Sequence, residues 1–178
     1  DMAYFPESKS KSSADDYQVK VLACWHWEGE IVALKMRLGE RIRSWGYSSR
    51  TDFRTDISLP LEKFVLNLRA DLLHCKSLAG LVYCEGGYST DPLSAYFRTG
   101  VFIVDNWDDR IYVYERDAPG SFNVPAYYGR GIWSAAVLRW RFARWGKVYL
   151  RASLCSYALM KEPKPGKAEL RFQMEFDI

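Results

Sequence analysis

A chain of 178 residues suits one domain, and 48% hydrophobic with 26% charged residues is too apolar a mixture for a disordered chain. A net charge of +3 is too small to mark a nucleic-acid binder, and no run of about 18 apolar residues is present to form a transmembrane helix. Aromatic residues reach 16%, an excess that suits membrane interfaces or an aromatic-packed soluble barrel.

Residues 1–14 form a polar N-terminal segment without a secretory signal pattern, as in a mature chain or a piece of a longer precursor. From residue 15 onward, period-two alternation dominates and helical periodicity is nearly absent. In 17–28, Tyr17, Val19, Val21, Ala23, Trp25 and Trp27 alternate with Gln18, Lys20 and His26. In 31–45, Val32, Leu34, Met36, Leu38 and Ile42 oppose Lys35, Arg37, Arg41 and Arg43. In 52–62, Phe53, Ile57, Leu59 and Leu61 oppose Arg54, Asp56 and Ser58. In 64–75, Phe64, Leu66, Leu68, Ala70 and Leu72 oppose Asn67, Arg69 and Asp71. Further strands fall near 80–89, 93–104, 131–143 and 147–159, with Arg98, Arg139, Arg141 and Arg151 marking their polar faces. The C-terminus is the clearest case. Leu170, Phe172, Met174, Phe176 and Ile178 share one face, and Glu169, Arg171, Gln173, Glu175 and Asp177 the other. A strand sorts these sets cleanly, whereas a helix would smear both around its circumference.

The connections differ in length. Glu28-Gly29-Glu30, Leu61-Glu62-Lys63, Thr90-Asp91-Pro92 and Arg144-Trp145-Gly146 are tight turns, while 46–52, 76–79, 105–130 and 161–167 are mostly longer. Short turns at one end and longer loops at the other are the habit of outer-membrane barrels. The segment 105–130 is read as a structured surface loop, a hairpin around Asp117-Ala118-Pro119-Gly120. Its arms are too short to cross a membrane, and Pro125 interrupts one of them. The expected fold is all-β: an antiparallel up-and-down transmembrane β-barrel over 15–178 of about ten strands, in a range of roughly 8–12.

Alternation alone does not say which face is inside. Trp25, Trp27, Phe64, Trp140, Phe142 and Phe176 gather near the short-turn ends like an aromatic girdle, and the chain ends in a complete amphipathic strand. These features favour apolar residues outward. A soluble barrel with a hidden apolar face is the competing arrangement. Cys24, Cys75, Cys84 and Cys155 include no CxxC pair, so they indicate neither a zinc site nor a redox motif; free thiols or one disulfide both remain open.

The stretch DNWDDRIYVYERDAPGSFNVPAYYGRG at 105–131, and above all its RIYVYE and FNVPAYYGRG pieces, resembles a loop of certain outer-membrane proteins of Bacteroidota-type bacteria. These are longer proteins known as helix-hairpin-helix, ComEA-like proteins, and they end in a β-barrel. The strand pattern from about 52 to 178 is similar too. The resemblance implies the outer membrane of a Gram-negative cell, with the chain either a complete small barrel or the C-terminal part of a larger one. It implies no activity, and no helix-hairpin-helix region is present here.

With apolar residues outward, Arg37, Arg41, Arg43, Arg54, Arg69, Arg98, Arg139, Arg141, Arg151 and Arg171 face a lumen, with Asp56, Asp71, Glu85, Glu169 and Glu175 to pair with them. Such charges need partners or water. They make either an ion-paired, plugged interior or a narrow anion-favouring conduit. In the loop, Trp107, Asp108, Asp109, Tyr112, Tyr114, Tyr127 and Tyr128 form its own packing or a binding surface. Its acids, including Asp105, Glu115 and Asp117, could fold over a basic mouth. An enzyme acting at the rim is the other class: His74, with Asp71 three residues earlier and Asp108 or Asp109 in reach, could activate water. There is no GxSxG, no HExxH and no phosphate loop. Neither cofactor nor metal is expected. The expected partners are the lipid bilayer, lipopolysaccharide and other chains of an outer-membrane complex, without nucleic acid.

Overall fold

The computed structural model describes residues 17–44, 49–160 and 164–176. The polar segment 1–14, and Asp177 and Ile178 of the last strand, lie outside the described residues. Nine strands build one antiparallel sheet: β1 (Gln18–Glu28), β2 (Ala33–Arg43), β3 (Ser49–Leu61), β4 (Phe64–His74), β5 (Leu78–Ser89), β6 (Leu93–Val104), β9 (Gly129–Ala143), β10 (Gly146–Ser156) and β11 (Lys167–Phe176). Each strand pairs with the next in chain order, a simple meander. The inserted segment between β6 and β9 carries a short 3-10 turn (Trp107–Asp109) and a small hairpin of β7 (Ile111–Tyr112) and β8 (Ala126–Tyr127).

Among the described residues the sheet therefore has nine strands where about ten were expected. The alternating intervals read from the sequence are each occupied once and supply no tenth strand. The ends moved little; the largest shifts are three residues, at the start of β3 (Ser49, expected 52) and the end of β10 (Ser156, expected 159). Two connections are two residues long, 62–63 and 144–145, and in the first Glu62 takes a positive φ of 47°, which suits a tight hairpin turn.

The register puts the two alternating sets on opposite faces. One face is apolar across the sheet, and none of the described residues covers it. Leu170 is 71% exposed, Phe172 63% and Phe64 58%, with Trp25, Leu38, Leu72, Val82, Phe97, Leu138 and Trp140 exposed as well. Around the short turns, Trp140, Phe142, Trp145 and Phe176 touch ring to ring at 5.7–6.5 Å, and Phe64 meets Tyr88 at 5.1 Å. Towards the longer connections this face turns polar: Glu40 accepts from Ser49 (2.9 Å) and Thr51 (2.5 Å), and His74 is exposed nearby, opposite Thr51.

The buried core lies on the other side, between the sheet and the inserted segment. Leu73, Ala79, Leu81, Tyr83, Phe102, Val104 and Trp133 project from the sheet, and Ile111, Val113 and Tyr127 cover them. The face read from the sequence as charged is thus two zones, apolar near the longer connections and charged along its middle. Gly100 permits this packing. A Cβ there would stand 2.4 Å from the Trp133 ring and 2.6 Å from the Val82 carbonyl.

Candidate functional site

The charged face beneath residues 105–128 gathers most of the polar chemistry. Its middle is a chain of ion pairs. Arg37 meets Asp52 at 2.8 Å, Arg54 meets Asp71 at 2.5 Å, and Arg69 binds Asp56. Gly39 makes room for the first pair, since a Cβ there would lie 2.7 Å from an Asp52 oxygen. Glu85, 3% exposed, accepts from Arg98 through Nε (3.0 Å) and Nη2 (2.5 Å), from Asn67 at 3.1 Å and from Arg116 at 3.2 Å. The Arg98 guanidinium also stacks 4.2 Å above the Tyr83 ring. A buried carboxylate with that many donors stabilises its charge by the hydrogen bonds that replace water.

Residues 105–128 are fastened to this face at three places. Asp109 is fully buried and accepts from the Lys76 amide (3.0 Å), the Ser77 amide (2.9 Å) and the Ser77 hydroxyl (2.8 Å). Burial works against its charge, but these donors win and hold its carboxyl below the ordinary aspartate range. In the middle, Arg98 donates to the Tyr114 carbonyl at 2.7 Å. At the far end Glu115 is buried with Arg151, accepts the Tyr127 hydroxyl proton, and takes a further bond from Asn123 at 3.3 Å. Asp117 pairs with Arg171 at 2.5 Å. Burial and the Glu115 carboxylate both push the Tyr127 phenol upward, so it remains a donor. Away from these three anchors, Arg130 holds Asp105 below the usual carboxylate range, and burial followed by the neighbouring Cys155 pushes Tyr157 up to about 12.

The expected polar-face residues do share one face, but not one network. Arg141 pairs instead with Asp91 at a short turn. Arg43 donates to Gln18 at 2.9 Å. Arg139 is exposed, Glu175 accepts from Tyr149 at 3.1 Å, and Glu169 binds Arg171. Within the inserted segment the alternation separates the aromatics. Tyr127 is buried, while Trp107, Tyr112, Tyr114 and Tyr128 are exposed, Trp107 resting on Tyr128 at 4.7 Å. Asp108 pairs with Lys76 at 2.9 Å. The four cysteines are free thiols; Cys24 and Cys84 are exposed, and burial, then Asp109, raises Cys75.

The rim hydrolase constellation is not assembled. Three residues along a strand is an odd offset, so His74 and Asp71 point to opposite faces. His74 is exposed beside the apolar face, while Asp71 is buried against Arg54. Among the described residues there is no group of three or more metal-ligating side chains.

Arg50, Asp52 and Arg110 belong to this face without standing out in the sequence pattern. Arg50 and Asp52 lie in 46–52, which reads as a loop, yet Arg50, Asp52, Arg54 and Asp56 alternate with Thr51, Phe53, Thr55 and Ile57 without a break. Following that period two residues further back would have found them. Arg110 donates to the Tyr112 hydroxyl at 2.6 Å and to the Trp107 carbonyl at 3.0 Å, contacts that only the folded segment creates. Comparison with protein-family models, curated proteins and solved structures finds no match to this chain.

Proposed function

We propose that this chain is the wall of a bacterial outer-membrane β-barrel, with the apolar face towards lipid and the charged face towards a largely plugged interior. One observation carries the reading. The long insertion folds onto the charged face, and among the described residues nothing covers the apolar face of the sheet. In water the sheet would gain most by covering its apolar side. In a bilayer that side is already solvated, and the backbone polar groups of the seven inner strands are satisfied by neighbouring strands. The nine strands are 10 to 15 residues long, and about 9–11 tilted residues cross a bilayer. The aromatic cluster at the short turns fits an interfacial girdle. A structural or narrow-conduit role follows, because long ion-paired arginines and the inserted segment fill the interior. Kinship with the barrels of helix-hairpin-helix, ComEA-like proteins is part of this proposal and rests on the 105–131 stretch, as does contact with lipopolysaccharide and partner chains.

Brominated phospholipids test the arrangement. Single-tryptophan variants retaining Trp25, Trp27 or Trp140 should be quenched in such bilayers, and a variant retaining Trp133 should not. A chain that stays monomeric in water, with Trp140 open to acrylamide and unquenched by the lipids, refutes it.

A further inference from the structure

On the β2–β3 ladder two arginine pairs stand directly opposite each other on the charged face, Arg37 against Arg54 and Arg41 against Arg50. Like charges opposed on neighbouring strands repel. Arg37 and Arg54 are neutralised by Asp52 and Asp71. A third opposed pair, Arg151 and Arg171, is neutralised by Glu115, Asp117 and Glu169. The Arg41–Arg50 pair differs. Among the described residues no carboxylate forms an ion pair with either. The Arg41 Nε is buried without a hydrogen-bond partner. Among the described residues Arg50 reaches two carbonyl oxygens, of Asp108 and Arg110, each at 3.4 Å.

These two guanidinium groups stand between two cavities that share them and Tyr112. One, of about 220 Å³, is also lined by Lys20, Arg37, Arg54, Asp52 and Asp71. The other, of about 320 Å³, is also lined by Arg43, Cys75, Asp108 and Arg110. The three acids are each held by another cation: Asp52 by Arg37, Asp71 by Arg54 and Asp108 by Lys76. The surplus positive charge is therefore local, and the inserted segment roofs it. Each space exceeds several times the roughly 30 Å³ of one water.

We propose that Arg41 and Arg50 form a clamp for a small free oxyanion of the phosphate type, with Arg110 and Lys20 at its margin. Planar guanidinium forks suit the paired oxygens of such a group, and an anion between them replaces repulsion with two charge-assisted contacts. A lipid headgroup is the wrong source, because the clamp lies on the face opposite the apolar one. The inference does not depend on a bilayer, since the charged face and the inserted segment build the site by themselves.

The test uses the full chain folded in uncharged detergent, titrated with inorganic phosphate at constant ionic strength and followed by calorimetry and thermal unfolding. Saturable binding with a rise in Tm is expected, with competition by sulfate and little by chloride. R41Q/R50Q should weaken binding at least about tenfold, the size of effect expected from losing charge-assisted contacts. Without phosphate it should unfold no earlier than the parent, because the opposed charges are gone. R144Q removes a charge from a distant turn, and should bind phosphate like the parent. Should the double variant fail to fold, R41K/R50K keeps the charge and loses the forks, and must also bind more weakly. Phosphate binding that is absent, non-saturable or equally lost in R144Q overturns the proposal. So does binding seen only with phosphatidylglycerol vesicles.

Discussion

Replacing Glu115 by Gln keeps the shape of the side chain and removes its charge, at the point where the inserted segment is locked to β10. Glu115 is 3% exposed and the Arg151 side chain 5%. Arg151 already has Nε and Nη1 without hydrogen-bond partners, and its other acids, Asp117 and Glu169, stand at 3.9 Å. E115Q thus leaves a desolvated guanidinium with weak compensation. Removing one member of a buried pair costs about 3–5 kcal/mol; with Asp117 and Glu169 nearby, and Gln still able to accept from Tyr127, we expect the lower end, about 3 kcal/mol. The loss should release 111–127 before the sheet itself unfolds, because the sheet ladder is untouched. Trypsin at Arg116, in the folded chain, reports release directly, and thermal unfolding gives the magnitude. Adding R151M should recover most of the loss, since a matched apolar replacement removes the orphaned charge. A loss below about 1 kcal/mol with unchanged trypsin resistance would refute the reasoning, as would a double variant weaker than the single one.

Three other outcomes are expected. Leu68→Arg on the apolar face should cost roughly 2–4 kcal/mol in bilayers if the site lies near the midplane, against a negligible change if the face meets water; refolding titrations into vesicles decide. Gly100→Ala should cost about 1–3 kcal/mol in thermal unfolding, because the added methyl meets the Val82 carbonyl and the Trp133 ring, and backbone cannot yield cheaply. Asp109 has a depressed folded value, so its contribution is present above the unfolded carboxyl range near about 4 and is lost as pH falls through the folded value. Hydrogen exchange at the Lys76 and Ser77 amides, corrected for intrinsic rates, should stay slow from pH 7 to 5 and rise below about pH 4, and Asp109→Asn should remove that acid step.

The strands were legible because side chains of period two leave an unambiguous trace: the sets around Leu170, Phe172 and Met174 or around Leu66, Leu68 and Leu72 lie on one face as read. The same period, followed less strictly, misplaced His74 beside Asp71. Sequence proximity suggested a catalytic pair, but their odd spacing already ruled it out. The apolar half of the charged face was invisible for a different reason. Leu73, Leu81 and Phe102 are buried only because residues 105–128 fold back over them, and alternation within a strand carries no information about what covers it. The Arg41–Arg50 opposition was hidden likewise, since it depends on pairing register between strands rather than on either strand alone.

Strand parity gives the last prediction. In a nine-strand meander the first and last strands run in the same direction, so β1 and β11 cannot join each other as antiparallel neighbours. Bacterial single-chain barrels are antiparallel throughout and even in strand number. If this sheet closes as proposed, an odd number of further strands must stand between β1 and β11, and the closed form has at least about ten strands. Cysteines placed on the two edges, at Lys20 on β1 and Arg171 on β11, in a background lacking the four native cysteines, should therefore fail to form an intramolecular disulfide. A control pair on true neighbours, Ala23 and Leu38, should cross-link, because those residues are opposed in the β1–β2 register. Efficient Lys20–Arg171 cross-linking in the folded, membrane-bound chain would mean a nine-strand barrel with one parallel seam, and would refute closure by added strands.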